Sequence, residues 1–290
     1  MQLTSDKPYD VPVRSRPPAL FRFAKMLQHR NIRGSYRFLN ASLRYWKNCN
    51  LTYSLSSRVT LTVPIGRKEH CWDLKDVLGY ENQLVDAFCA AIGSLANVTL
   101  FDCGADIGLF SALVCARCDR VGRVLAFEPN PDIKELFQRN VACLPNGKPY
   151  NLAVSDFTGF GKLERPAYDG SDHARYLTQA PSGIPVITID SLNVFGGDVA
   201  IKIDVEGGEL NVIRGARETI GKAAGCVLTL EVHPKVCRRT GIGPAASMAF
   251  LESIRPFRFM VAETGQWVKA TDNITDPNRI LNLVCTTREN

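Results

Sequence analysis

The sequence contains no long apolar run. Its longest, residues 109–116, includes Ser111 and stops at Arg117, far short of the ~20 apolar residues of a membrane-spanning helix. The first eight residues, Met-Gln-Leu-Thr-Ser-Asp-Lys-Pro, lack the basic start and apolar core of a secretory leader. These absences predict a soluble chain that stays in the cytoplasm where it is made. Acidic residues are missing from a whole region. Between Val11 and Lys68 there is no Asp or Glu, but there are twelve Lys and Arg. Residues 1–10 contribute −1 to a total of +6, which leaves −5 for residues 69–290. The acidic body therefore lacks the footprint of a nucleic-acid binder. The basic character belongs to an N-terminal extension, residues 1–68. A disulfide framework is not expected either: the ten cysteines are scattered through strands and helices, as in reduced cytoplasmic proteins. Cys115 and Cys118 form a C-x-x-C pair with no second Cys/His pair nearby, so no metal site is expected. Sequons begin at Asn40, Asn50, Asn97 and Asn273 and carry no meaning without secretion.

What is present is periodicity. Residues 20–47 read as helical with a break near 31–34. Tyr36, Leu39, Leu43 and Trp46 share one face, beside Arg37, Asn40, Arg44 and Lys47. Such a stripe more often packs onto its own domain; the alternative is contact of residues 20–47 with an anionic membrane or an acidic carrier. Strand patterns fall at 58–63, 98–103, 123–128, 150–154, 199–204, 225–231, 257–262 and 279–285. Helical ones fall at 81–95, 106–118, 131–143, 210–220 and about 245–254. Strands that are nearly all apolar, alternating with helices, predict an α/β fold, a doubly wound and mostly parallel sheet over residues 69–290. The alternation lapses at 156–198, which is rich in Gly and Pro and reads as a cap over an acceptor or as a plain surface hairpin.

The loop after the first core strand reads Asp102-x-Gly104-x-Asp106-x-Gly108. In a doubly wound sheet this carboxyl edge binds ligands. Gly104 permits close approach of backbone to ligand, and Gly108 close packing of the following helix. The next strand ends in Phe127-Glu128-Pro129, a carboxylate placed to accept both ribose hydroxyls of a nucleoside. A pyrophosphate favours a loop without carboxylates. Two carboxylates, Asp102 and Asp106, suit a ligand that carries an ammonium and a sulfonium. Asp106 has a second reading as the N-cap of the helix. The balance points to S-adenosyl-L-methionine.

These residues resemble the FkbM family of class I methyltransferases across roughly 79–231. The blocks that carry the resemblance are Gly79-Tyr80-Glu81, the 102–108 loop, Phe127-Glu128-Pro129-Asn130, and Asn151-Leu152-Ala153-Val154-Ser155-Asp156. Residues 187–192 and Ile201-Lys202-Ile203-Asp204-Val205-Glu206-Gly207-Gly208-Glu209-Leu210 complete it. The resemblance implies a Rossmann-like, seven-stranded sheet with its last strand antiparallel. It also implies donor binding by Asp102, Gly104, Asp106, Gly108, Glu128, Asn130 and Asp156. The implied activity is O-methylation of a sugar, polysaccharide precursor or secondary metabolite, so the partner is a small-molecule or glycan acceptor.

A hydroxyl acceptor benefits from a positioned base. Asp204 and Glu206, at and just past the fourth strand, are candidates, and so is His233 after the fifth. Lys202 and Asp204 share a strand face and can pair. Glu206 reads equally as part of a turn and helix start, and His233 as a locally bonded loop residue. Rival functions are an NAD-dependent oxidoreductase, a non-catalytic adenosyl-binding protein, and a nucleic-acid methyltransferase. The last typically places Asn/Asp-Pro-Pro-aromatic after strand four, where this chain has Asp204-Val205-Glu206-Gly207.

Overall fold

A computed structural model describes residues 13–14, 16–43, 49–66, 72–165, 175–272 and 274–287. In chain order the first part holds β1 (Val13–Arg14), α1 (Ala19–His29), α2 (Ser35–Leu43), β2 (Asn50–Ser54), β3 (Thr60–Pro64), α3 (Leu74–Gly79) and α4 (Asn82–Ile92). The core then alternates: β4 (Val98–Cys103), α5 (Leu109–Arg117), β5 (Val121–Phe127), α6 (Lys134–Ala142) and β6 (Lys148–Tyr150). Four short strands follow, β7 (Ala153–Val154), β8 (Gly159–Glu164), β9 (Tyr176–Ala180) and β10 (Ile184–Ile187). The alternation resumes with β11 (Val199–Ile203), α7 (Glu209–Gly215), α8 (Arg217–Lys222), β12 (Cys226–Val232), α9 (Pro234–Thr240) and α10 (Pro244–Ile254). It closes with β13 (Phe257–Val261), β14 (Trp267–Val268) and β15 (Leu281–Thr287).

The main sheet has eight strands in the order β14-β13-β15-β12-β11-β4-β5-β6. From β6 to β12 all neighbours are parallel. β15 runs antiparallel between β12 and β13, and β14 adds a two-residue antiparallel edge. The seven strands implied by the resemblance thus become eight, because the chain doubles back after β13. Alternation along the buried strands feeds two cores. On one face Leu100, Val124 and Ala200 meet Phe88 of α4, Leu113 of α5 and Phe137 of α6. On the other, Phe101, Ile201 and Leu228 meet Ile213, Ile220 and Leu251 of α7, α8 and α10.

The basic extension shares the first of these cores. Phe21, Ala24, Leu39, Leu51, Leu61 and Val63 are buried with Phe88 and Phe137. The buried Asn140 fastens it there: its side chain accepts from the Thr62 N–H at 2.9 Å and donates to the carbonyls of Thr62 and Ile107, both at 2.8 Å. One backbone N–H of β3, one carbonyl of β3 and one carbonyl of the 102–108 loop are satisfied by a single amide. The expected shared stripe on α2 divides. Leu39 is buried but Tyr36 points outward, and Trp46, with Arg44 and Lys47, lies outside the described residues.

Two elements differ from the expected ones for local reasons. Residues 150–154 do not form one strand. β6 is an edge strand whose neighbour is β5 alone, and after Tyr150 the chain leaves it so that Ala153 and Val154 pair with β10. That pairing joins β7 to the other three short strands in a small sheet, ordered β7-β10-β8-β9. The helix expected at 210–220 breaks at Ala216. Gly215 presses on the chain so closely that a Cβ would stand 2.0 Å from the Ser155 carbonyl. The Asp190 carboxylate then restarts the helix by accepting the N–H groups of Glu218 and Thr219 at 2.9 and 2.8 Å.

Candidate active site

The site is built in rows across the carboxyl ends of three parallel strands. In register, Asp102 of β4, Lys202 of β11 and Thr229 of β12 lie side by side. Two residues further on, the same face presents Gly104, Asp204 and Glu231. The lower row is sealed. Asp102 is fully buried and takes a hydrogen bond from the Ser111 hydroxyl at 2.6 Å, with the Lys202 ammonium 3.6 Å away. Burial raises its carboxyl above the usual range; Lys202 and Ser111 oppose the shift. The Lys202 ammonium donates to the Gly104 carbonyl at 2.8 Å and to Asp204 at 3.0 Å. Burial alone would lower the Lys202 pKa, but Asp204 and Asp102 outweigh it and hold it well above the ordinary value. Lys202 thus locks the first core strand to the fourth.

The upper row opens into a cavity of about 450 Å³, within the size range of small-molecule sites. Gly104 can only be glycine here: its φ is +79°, and a Cβ would lie 1.8 Å from the Asp204 carbonyl. Asp106, at φ 50°, lines the cavity. It is not the helix N-cap, which is Gly108. Gly108 lies behind the loop, where a Cβ would come 3.2 Å from Val141 of α6.

Glu128, at the end of β5, accepts the N–H of Asp106 at 2.9 Å on one oxygen and that of Asn130 at 2.7 Å on the other. Burial and the neighbouring Asp106 push its pKa up to about 7, against those two bonds. Asn130 caps the turn after β5 by accepting from the Asp132 N–H at 3.1 Å, and takes a second bond from Arg175 at 3.1 Å.

Of the ten residues singled out in the sequence, six line this cavity: Gly104, Asp106, Glu128, Asn130, Asp204 and Glu206. Asp102 and Gly108 support the loop from behind. Asp156 is exposed beside Ser155, off the cavity. His233 is the N-cap of α9, where its Nδ1 accepts from the Lys235 N–H at 3.1 Å. It borders a separate cavity of about 30 Å³. Glu206 adopts φ 59° in a turn whose Gly207 N–H is held by Glu209 at 2.8 Å. Its carbonyl accepts from Arg239.

Other wall residues were not singled out. Trp72 and Tyr80, in edge-to-face contact at 5.7 Å, line the cavity with Glu81, Arg175, Glu231 and Ile280. Glu81 precedes α4 in the left-handed region at φ 40°. One of its carboxylate oxygens is buried without a hydrogen-bond partner. Burial raises its pKa, Lys202 opposing and Asp204 adding to the shift. Glu231 is more perturbed. Burial first, then Asp204, Glu206, Glu209 and Glu81, push its pKa well above the ordinary value, and no cation among the described residues pairs with it. Six acidic side chains line the cavity against two basic ones, Lys202 and Arg175. The balance suits a cationic ligand and opposes a pyrophosphate.

A parallel sheet with helices on both faces, a reversed strand near one edge and a nucleoside-type loop at the carboxyl edge define a Rossmann-like class I methyltransferase fold. Residues 102–253 match the Methyltransferase FkbM domain, more than half of the chain, and the chain belongs to that family. It is an S-adenosylmethionine-dependent methyltransferase. Among characterised proteins it is similar to hexuronic acid methyltransferase AglP of Haloferax volcanii, with 28% identity over 173 residues, 58% of this chain and 68% of that one. Among solved structures it is similar to a methyltransferase FkbM from Methylobacillus flagellatus. That likeness has a TM-score of 0.44 and 14% identity, over 91% of this chain and 76% of that one. A SAM-dependent O-methyltransferase from Thermotoga maritima gives a TM-score of 0.41 and 12% identity, over 76% and 74% of the two chains.

Proposed function

We propose that this enzyme methylates a hydroxyl oxygen of a sugar or sugar-containing precursor. The observation that carries the reading is the upper row of Asp204 and Glu231, two adjacent carboxyls at the cavity floor, with Lys202 beneath only the first. S-adenosylmethionine supplies an electrophilic methyl group when bound. Glu128 would hold its ribose hydroxyls. Gly104 leaves room for its backbone-side approach, and Asp106 and Asp204 offer negative charge to its ammonium and sulfonium. Asp102 and Gly108 serve by holding the loop. Glu231, lacking a cation, is the group best suited to take the proton from an acceptor hydroxyl. Glu206 borders the same side of the cavity.

The acceptor class draws support from the similarity to a hexuronic acid methyltransferase. If the acceptor carries a carboxylate of its own, Arg175 is the cation placed to meet it, its Nε being buried without a partner. The test uses methyl-labelled donor with a cell extract, followed by isolation of the labelled product. An O-methyl ether on a sugar is the expected result. A methyl group on nitrogen, or on RNA, would sink the reading.

A further inference from the structure

Thirteen large apolar side chains are exposed among the described residues, and six of them lie between positions 20 and 38: Leu20, Phe23, Met26, Ile32, Tyr36 and Phe38. They belong to α1, α2 and the turn between them. At 100° per residue, Leu20, Phe23 and Met26 share one arc of α1. The opposite arc, which packs inward, carries Phe21, Ala24 and Lys25. The outward face of this helix is thus as apolar as its buried one, the reverse of an ordinary surface helix. Phe23 is 50% exposed, and its ring meets the 39% exposed ring of Phe38 edge-on at 6.2 Å, so the apolar surface runs from one helix onto the other.

Arginines are interspersed with these side chains along the same stretch of chain. Arg16, Arg22, Arg30, Arg33 and Arg37 are all exposed, and no acidic residue occurs from position 11 to 68. Clustered exposed apolar side chains mark a docking surface, and the charge selects its occupant. Bulky apolar side chains exposed on a helical hairpin, with exposed arginines interspersed along it, fit a fluid anionic interface. A protein partner would need matching hollows and carboxylates in fixed places. We propose that the α1–α2 hairpin docks the enzyme on an anionic lipid bilayer, its apolar side chains entering the headgroup boundary and its arginines meeting lipid phosphates.

The hairpin is also wired to the cavity. Lys25 pairs with Asp76 at 2.6 Å and His29 with Asp73 at 2.7 Å. Asp73 and Asp76 form the capping box of α3, and the preceding residue, Trp72, lines the cavity. Contact with a bilayer would therefore be made by elements adjoining the cavity wall.

The test is co-sedimentation of the full chain with vesicles of equal parts phosphatidylglycerol and phosphatidylcholine, and with phosphatidylcholine alone. The wild type should bind the anionic vesicles and be released by added salt. Phe23→Glu combined with Met26→Glu should weaken that binding by about tenfold or more. Arg30→Glu with Arg33→Glu should also weaken it and flatten its salt dependence. All four positions are exposed, so calorimetric binding of S-adenosylhomocysteine should be unchanged and certifies the fold. The proposal is overturned if the wild type ignores anionic vesicles, if the charge-reversed variants bind as well as the wild type, or if the chain instead forms dimers that Phe23→Glu dissolves.

Discussion

Asp204 and Glu231 occupy adjacent strand ends on one face of one sheet, yet their surroundings differ sharply. Asp204 sits 3.0 Å above the Lys202 ammonium. Glu231 faces carboxylates and has no such partner among the described residues. A carboxylate held by a buried ammonium is fixed in place and fit for positioning. One among like charges is held near the protonated form and can trade a proton during a reaction. The comparison separates a structural half of the floor, on β4 and β11, from the half on β12 to which the proposed proton transfer is assigned.

Lys202→Met attacks the structural half and should have the largest effect. It leaves Asp102 and Asp204 without their shared cation, and breaking a buried pair in this way costs about 3–5 kcal/mol. Urea unfolding of the ligand-free protein measures it; a loss below about 1 kcal/mol would mean that the pair is far less buried than its geometry indicates. Glu128→Ala should weaken donor binding by about 1–3 kcal/mol, the scale of a lost charged hydrogen bond, as read by calorimetry.

Glu128 also gives a pH prediction. Its folded pKa of about 7 lies above the unfolded value. Between the two the folded state binds more protons, so stability is full at low pH and falls as pH rises through 7. Glu128→Gln should remove that part of the fall, read in thermal melts from pH 4.5 to about 7. The same substitution should abolish the matching rise in donor affinity. Asp204→Asn should have the smallest effect on the comparison itself. Removing the second cause of Glu231's shift moves the rise of turnover with pH to lower pH; an unmoved rise would uncouple the two carboxyls.

The loop proposed to hold the donor was legible in the sequence because it is local. A strand, a glycine turn and a helix start fix Gly104, Asp106 and Glu128 relative to one another over short stretches of chain. The wall residues were not. Glu231 becomes Asp204's neighbour only through the register of β11 with β12, and Glu81 joins them by a left-handed turn at φ 40° that sequence does not announce. The Gly79-Tyr80-Glu81 block carries the family resemblance, but its sequence gives no sign that Glu81 reaches the cavity. Arg175 reaches Asn130 only because β7 leaves the main sheet and pairs with β10. In sequence, His233 is the ionisable residue that follows strand five. The strand ends at Val232, however, and His233 turns away to start α9. The carboxylate two residues earlier faces the cavity instead.

The most direct measurement is the pH dependence of turnover for wild type and Glu231→Gln on the labelled acceptor, with donor binding followed in parallel. Wild-type turnover should rise with pH as Glu231 ionises and then level off. The variant should bind donor normally but turn over about 10²-fold or more slowly, without that rise. A variant that keeps both the wild-type rate and the wild-type pH profile would contradict the account.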